Sequence, residues 1–155
     1  MSNAYRLARA RRIDRSRPFS FRFNGVPLRG YAGDTLASAL LANGVRLVAR
    51  SIKYHRPRGV FSAGSEEPNA LVQLERGAHT EPNLRATEIE LYEGLQAASV
   101  NCFPSVEFDL RAVHGLASSL LVAGFYNKTF KWPRSFWKKF YEPALRAAAG
   151  PRLTG

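Results

Sequence analysis

Cysteine is almost absent from this sequence. Cys102 is the one cysteine among 155 residues, so the chain cannot form an internal disulfide. Metal centres built from several thiolates, such as structural zinc sites and iron–sulfur clusters, are excluded by the number of ligands alone. The N-terminus is rich in arginine, but no apolar segment of a secretory signal follows it. We therefore expect the chain to reside in a reducing cytoplasm.

Long hydrophobic runs are also missing. A membrane-spanning helix needs roughly 20 consecutive apolar residues, and the longest such run here, 116–125, is interrupted by serine and glycine. Hydrophobic residues still make up 45% of the chain, which is enough for the core of one domain. We expect a single main domain with no membrane partner.

The usual sequence signatures of catalysis do not occur. There is no Gly-x-Gly-x-x-Gly after a strand, no phosphate loop, no Gly-x-Ser-x-Gly elbow and no His-Glu-x-x-His motif. The three histidines, His55, His79 and His114, are far apart and lack the spacing of metal ligands. The chain is therefore predicted not to be an enzyme by itself.

Acidic residues are scarce relative to basic ones. Twelve Asp and Glu stand against 23 Lys and Arg, which gives a net charge of +11. The positive charge is concentrated in three segments, 1–17, 46–58 and 128–139, whereas the middle of the chain is acidic. A run of charge is often only a solvated face, but three clusters in one small chain predict an anionic partner.

Nucleic acid is one such partner, and it gives an alternative function. The arginine-rich arm would contact phosphates, and the aromatic residues of 125–141 would stack on bases. No known nucleic-acid-binding motif is present, and acidic stretches separate the basic clusters. We therefore rank an independent nucleic-acid-binding protein below a module of a larger assembly.

Local patterns predict a small mixed sheet with one helix. Phe19, Phe21 and Phe23 alternate with polar residues, which indicates a strand, and Asn24-Gly25 is typical of a type I′ turn. A return strand over 26–31 and a helix over 35–43 should follow, the helix capped by Asp34, with Leu36, Leu40 and Leu41 facing inward, and ended by Gly44. Further strands are predicted over 70–74 and 87–92, after a loop over 50–67 whose length is typical of functional or disordered loops.

These elements divide the chain into three parts. Residues 1–17 are predicted to be a basic arm that becomes ordered against a partner, and residues 18–100 an α+β domain. Residues 101–155 are predicted to be an extension with helices over 113–123 and 133–146. Aromatic residues of this extension suit either a core or a docking surface; they are Trp132, Phe136, Trp137, Phe140 and Tyr141.

The order of elements resembles a plant-type ferredoxin, a β-grasp fold. In that family the loop after the first helix wraps a [2Fe–2S] cluster with three cysteines, and a distant fourth cysteine completes the site. Here the loop contains no cysteine, and Thr87 stands near the position of the fourth. If the fold is of this kind, we expect the cluster to have been lost.

Five segments of the sequence are long and unusual. They are DRSRP (14–18), GDTLASALLANG (33–44), RSIKYHRPRG (50–59), GSEEPNAL (64–71) and GFYNKTF (124–130). They resemble the N-terminal region of the alpha subunit of heterotetrameric sarcosine oxidase, and the resemblance runs over nearly the whole chain. It implies a complex that oxidatively demethylates sarcosine, binds FAD, FMN and NAD, and passes the one-carbon unit to tetrahydrofolate.

The same resemblance implies partners rather than cofactors for this chain. The family's alpha subunit continues into a large dinucleotide-binding domain and a folate-binding domain, whereas this sequence stops at Gly155, where the first of them would begin. We therefore expect a fragment, a split gene product or a truncated protein that holds none of those cofactors. Its partners would be the other domains of the alpha subunit and the other subunits.

The basic loop is the predicted contact surface. Five cations lie between residues 46 and 58 with no acid among them, and arginine forms bidentate bonds to carboxylate and phosphate. In the alternative, Glu66 and Glu67 fold back and neutralise the cluster internally. The residues predicted to contact a partner, or a flavin or dinucleotide phosphate, are Arg50, Lys53, Tyr54, His55, Arg56 and Arg58.

Overall fold

The computed structural model describes residues 5–7, 12–77 and 79–115. Seven strands, one α-helix and one 3₁₀ helix occur in these residues. In chain order they are β1 (Asp14–Phe23), β2 (Val26–Ala32), α1 (Leu36–Ala42), β3 (Ala49–Arg50), β4 (Pro57–Arg58), β5 (Leu71–Arg76), β6 (His79–Arg85), β7 (Gln96–Ser99) and the 3₁₀ helix (Leu110–Gly115).

Five of the strands form one mixed sheet in the order β2-β1-β7-β5-β6. The two outer hairpins are antiparallel, and β7 joins them by running parallel to β1 and antiparallel to β5. Leu36 and Leu40 of α1 belong to the same buried cluster as Phe21 and Leu74 of the sheet. This arrangement is an α+β, ferredoxin-like β-grasp fold, and the predicted fold class is confirmed.

The first hairpin follows its local sequence closely. Phe21 and Phe23 are buried, and Asn24 and Gly25 have φ angles of 51° and 77°, as a type I′ turn requires. Strand β1 begins at Asp14, four residues before the predicted start of the domain at 18. An irregularity in the pairing between Asp14 and Pro18 separates this early part from the regular ladder.

The helix is capped by a different residue from the one predicted. Thr35, not Asp34, is the N-cap, and its hydroxyl accepts a hydrogen bond from the backbone N–H of Ser38. Asp34 is instead buried, where its carboxylate binds both terminal guanidinium nitrogens of Arg6 at 3.0 and 2.7 Å. Leu41 is 41% exposed, so its predicted inward position is wrong. Gly44 follows the helix with φ 81°, as predicted.

The prediction of a strand over 87–92 is wrong. Ile89 and Leu91 are buried as their alternation indicates, but their backbone groups bond to Leu36 and Asp34 at the start of the helix, not to a neighbouring strand. Only an isolated bridge between Thr35 and Glu90 remains. The strands that complete the sheet are β6 and β7, on either side of this segment in the sequence.

Parts of the predicted extension lie outside the described residues. The 3₁₀ helix (Leu110–Gly115) overlaps the start of the helix predicted over 113–123, and the helix predicted over 133–146 and its aromatic residues are not described. In the described part of the chain, no helix is long and apolar enough to cross a membrane.

Candidate functional site

The basic loop begins as a short hairpin. Strands β3 and β4 pair Ala49 with Arg58 and Arg50 with Pro57. Inside the turn, the backbone N–H of Ser51 donates to the carbonyl of Arg56 at 3.0 Å, and the hydroxyl oxygen of Ser51 accepts from the N–H of Arg56. The tip, residues 51–56, is therefore a closed turn that holds its side chains in defined positions.

Arg50 points into the protein from the base of this hairpin. Its guanidinium donates to the carbonyls of Val106, His55 and Glu107 at 2.8, 2.9 and 3.1 Å. It also lies 3.9 Å from the carboxylate of Asp109. Arg50 thus ties the hairpin to the segment 101–110, and most of its side chain is buried.

His55 is internal as well. Its side chain is buried, and Nδ1 lies 2.8 Å from a carboxylate oxygen of Asp109. The other oxygen of Asp109 accepts from the backbone N–H groups of Phe103 and Arg111. His55 has a φ of 52°, in the left-handed region that few residues other than glycine adopt. An aspartate–histidine pair of this kind can orient a proton donor, but here it lies away from solvent.

The tip of the hairpin stacks two cations on one aromatic ring. Lys53 Nζ lies 5.2 Å from the centroid of the Tyr54 ring, and the guanidinium carbon of Arg56 lies 4.8 Å from it. Arg56 is exposed, and Lys53 and Tyr54 are half-buried. We call these three residues the tip cluster. Cation–π contacts of this kind hold like charges close together without burying them.

Arg58 has an intermediate position. Its guanidinium donates to the side-chain oxygen of Asn69 at 2.5 Å, which ties β4 to the following loop. Arg58 and Asn69 also line an open cleft of about 300 Å³, together with Asn83 and Asn101. The six predicted contact residues therefore separate into two internal residues, one that bridges two loops and the three residues of the tip cluster.

Glu67 organises the loop between β4 and β5. This residue is 1% exposed, and its carboxylate accepts hydrogen bonds from four backbone N–H groups, those of Phe61, Ser62, Asn69 and Ala70, at 2.5–3.0 Å. Glu67 therefore does not fold back to neutralise the cations, as the alternative interpretation of the sequence held. Its carboxylate is hydrogen-bonded to the backbone of its own loop instead.

The acidity of Glu67 reflects two opposing effects. Burial alone raises the pKa of a carboxyl group, because it disfavours the charged form. The four backbone N–H groups stabilise the carboxylate and outweigh burial, so the pKa of Glu67 is lowered from its ordinary value. The group is therefore an anion at neutral pH.

Two side chains fasten this loop to the rest of the domain. The hydroxyl of Thr87 donates to the carbonyl of Gly64 at 2.8 Å, and Nε of Arg85 donates to the carbonyl of Glu67 at 3.2 Å. Thr87 is the residue that the resemblance to ferredoxins predicts near the fourth cluster cysteine. It contacts the loop there as a hydrogen-bond donor.

Comparison with known proteins identifies the fold family. A family model described as a 2Fe-2S iron-sulfur cluster binding domain matches residues 16–102. The chain belongs to this family. The match covers α1 and nearly all of the five-stranded sheet, which form the β-grasp.

Individual relatives of this iron–sulfur-type domain are similar over most of the chain. The chain is 59% identical to the sarcosine oxidase subunit alpha of Rhizobium meliloti (strain 1021) over 148 residues, 96% of the chain and 15% of that protein. It is 41% identical to the corresponding subunit of Corynebacterium sp. (strain U-96) over 104 residues, 63% of the chain and 11% of that protein. The resemblance found in the sequence is confirmed, and the chain spans a small part of the length of these relatives.

One solved structure is also similar. It is the crystal structure of L-proline dehydrogenase from P. horikoshii, which matches 59% of this chain and 17% of the other with 25% identity and a TM-score of 0.45.

The residues of this iron–sulfur-type domain do not fit a [2Fe–2S] cluster. Such a cluster needs four ligands, in most cases cysteine thiolates, and Cys102 is the one cysteine of the sequence. No group of three or more His, Cys, Asp or Glu side chains in the described residues could hold a metal ion. Burial raises the pKa of the Cys102 thiol, and the carboxylates of Asp109 and Glu107 raise it further, which disfavours the thiolate that metals bind.

Two key residues of the site, Asp109 and Glu67, have no direct signal in the sequence. Asp109 lies 54 positions from His55, and no local pattern links them. The sequence predicts Glu67 only as a partner of the cations together with Glu66, although a carboxylate in a loop rich in glycine and proline also suits backbone N–H donors. These residues bind distant or backbone partners, which the composition of the loop does not indicate.

Proposed function

We propose that this chain is a docking module of a sarcosine oxidase-type flavin complex and performs no redox chemistry of its own. The similarity to two sarcosine oxidase alpha subunits supports the assembly, and the poor fit to a cluster supports a role other than electron transfer. In this proposal the complete complex oxidises sarcosine with FAD, FMN, NAD and tetrahydrofolate bound elsewhere. The chain contributes a surface to other domains and subunits.

The observation that carries the docking role is the tip cluster. Two cations on one tyrosine ring, at the end of a hairpin whose base is fixed by Arg50, form a preorganised positive surface. Tyrosine and arginine are enriched at interface hot spots, and a preorganised surface loses little entropy on binding. The cluster suits an acidic patch on a partner protein or the phosphate of a bound dinucleotide.

The segment fastened to the hairpin adds an apolar component. Phe103, Phe108 and Leu110 are all more than half exposed, although they are large and hydrophobic. Arg50 and the pair of His55 and Asp109 connect this segment to the base of the hairpin. Exposed aromatic residues beside arginine are the usual composition of a protein–protein interface.

The test compares two double variants with the same change of charge. Lys53→Ala/Arg56→Ala removes both cations of the tip cluster, and Arg17→Ala/Arg29→Ala removes two exposed cations of the first hairpin. The dissociation constant between the chain and the remaining parts of the complex is measured by sedimentation at physiological salt. We expect the tip variant to bind at least about tenfold more weakly and the control to bind as the wild type does.

Two outcomes contradict the proposal. If both variants lose the same affinity, the contact depends on total charge and not on the tip cluster. If the wild-type chain does not associate with the remaining subunits, the docking role itself is wrong. Thermal unfolding above the assay temperature in both variants is the control for folding, because Lys53 is half-buried whereas the other three cations are exposed.

A further inference from the structure

The loop after β4 converges on one carboxylate. The oxygens of Glu67 each accept two backbone N–H groups: one oxygen binds Phe61 and Ser62, which precede it, and the other binds Asn69 and Ala70, which follow it. Both sides of the loop therefore turn their N–H groups inward. The centre of the loop is a concave arrangement of donors with no side-chain cation in contact with the anion among the described residues.

Successive N–H groups that point into a concavity form an anion site. Such backbone arrangements bind phosphate and iron–sulfur groups in other proteins, because each N–H contributes a partial positive charge. The family to which this chain belongs is described as a 2Fe-2S iron-sulfur cluster binding domain. In this chain the thiolates are missing, but the inward donors are present and they are all bound to Glu67.

We propose that the loop is an anion site whose resident anion is the carboxylate of Glu67, in place of an external cluster. An isolated carboxylate is rarely buried, because it loses its hydration. Here the four N–H groups replace that hydration, and Glu67 in turn supplies an acceptor to four donors, of which that of Ala70 is buried and the other three are partly buried. The lowered pKa of Glu67 agrees with an anion held by these donors.

The neighbouring contacts fix the loop around the anion. Gly64 is bound twice, since its carbonyl accepts from the N–H of Glu67 at 3.2 Å and from the hydroxyl of Thr87 at 2.8 Å. Arg85 binds the carbonyl of Glu67 from β6. These hydrogen bonds fasten both Gly64 and Glu67 to the segment 85–87, so the loop around the carboxylate is closed by contacts from one neighbouring segment.

The proposal predicts that the site can be emptied and refilled. Glu67→Ala removes the anion and leaves four N–H groups around a small space, which a free carboxylate such as formate can enter. Glu66→Ala is the matched control, because Glu66 is the adjacent carboxylate and is exposed. Both variants are made in the full 155-residue chain and unfolded thermally in sodium formate and in sodium chloride of equal ionic strength.

We expect Glu67→Ala to lower Tm by at least about 8 °C and sodium formate to restore part of this loss, while sodium chloride does not. Glu66→Ala and the wild type should keep the same Tm in both salts. An unchanged Tm in Glu67→Ala overturns the proposal, as does a loss of stability that formate and chloride affect equally.

A second variant covers the case in which Glu67→Ala does not fold. Glu67→Gln keeps the size of the side chain but replaces one oxygen by an NH₂ group, which faces two N–H donors and cannot accept from them. Amide hydrogen exchange at neutral pH should then be at least about tenfold faster at one of the two pairs of N–H groups. If all four amides exchange at the wild-type rate, an anion is not what the loop requires and the proposal is wrong.

Discussion

Replacing Arg50 with alanine separates the internal part of the basic loop from its exposed part. The guanidinium of Arg50 makes three hydrogen bonds to carbonyl groups at 2.8–3.1 Å and lies 3.9 Å from Asp109, whose side chain is fully buried. The carbonyls belong to the hairpin on one side and to the segment 101–110 on the other. Arg50→Ala therefore breaks the main polar connection between these two parts.

The expected loss of stability follows from these contacts. A hydrogen bond from a charged donor contributes about 1.5–3 kcal/mol, and water can reach some of the freed carbonyls, because Glu107 is exposed. Removing one partner of a buried ion pair costs about 3–5 kcal/mol, and the separation of 3.9 Å places this pair at the weak end. We therefore expect Arg50→Ala to lower the free energy of unfolding by about 3–5 kcal/mol.

The matched control is Arg56→Ala, six residues further along the chain. Arg56 is exposed and contacts the face of Tyr54, so its removal should change the free energy of unfolding by less than about 1 kcal/mol. Urea unfolding of the full chain, followed by far-ultraviolet circular dichroism, measures both values. Equal losses in the two variants would refute the division of the basic loop into an internal base and an exposed tip.

Three further predictions address other parts of the domain. Arg6→Ala leaves the buried carboxylate of Asp34 without its cation, so the free energy of unfolding should fall by about 3 kcal/mol. Arg6→Lys should restore only part of this loss of stability. Wild-type stability in Arg6→Ala is the contrary result. Because folding lowers the pKa of Glu67, its contribution to stability is complete above the unfolded pKa of about 4.3 and is lost as the pH falls through the folded pKa. Glu67→Gln should therefore flatten the acid limb of a urea-unfolding pH series, and identical slopes in variant and wild type would count against this assignment. Because burial and neighbouring carboxylates raise the pKa of Cys102, iodoacetamide should alkylate it more slowly at pH 8 than it alkylates free cysteine; an equal rate would contradict this.

Local signals predicted the first half of the fold well. The alternation of Phe21 and Phe23, the turn at Asn24-Gly25 and the helix end at Gly44 each depend on a few neighbouring residues, and the structure agrees with all three. The helix N-cap was misassigned because Asp34 and Thr35 are adjacent and both suit the position. The buried partner of Asp34, Arg6, lies 28 residues away, and the sequence does not specify it.

The second half of the sheet depends on pairing that the sequence does not display. Strand β6 contains Pro82 and mostly polar, half-exposed residues, which an edge strand tolerates. Strand β7 consists of four residues, two of them alanine, and its place between β1 and β5 defines it as a strand. Strong alternation at Ile89 and Leu91 indicated a strand instead, although their backbones bind the helix start. Burial could be predicted there, but backbone pairing could not.

The candidate site was predicted by location and not by the role of each residue. The density of cations between 46 and 58 predicted where the site lies. It also led to the prediction that all six residues form one contact surface. Arg50 is internal because it donates to the carbonyl of Val106, and His55 is internal because it contacts the carboxylate of Asp109. Both partners lie more than 50 positions away in the sequence. The docking role of the tip cluster stays a prediction.

We infer that this domain of the iron–sulfur cluster family is held together without a cluster. Anaerobic reconstitution of the full chain with ferrous iron and sulfide, followed by desalting and determination of iron and acid-labile sulfide, tests it directly. We expect iron and sulfide far below one cluster per chain and no visible charge-transfer absorption, for the wild type and for Glu67→Ala alike. Two irons and two sulfides per wild-type chain, with the visible spectrum of a [2Fe–2S] centre, would contradict it.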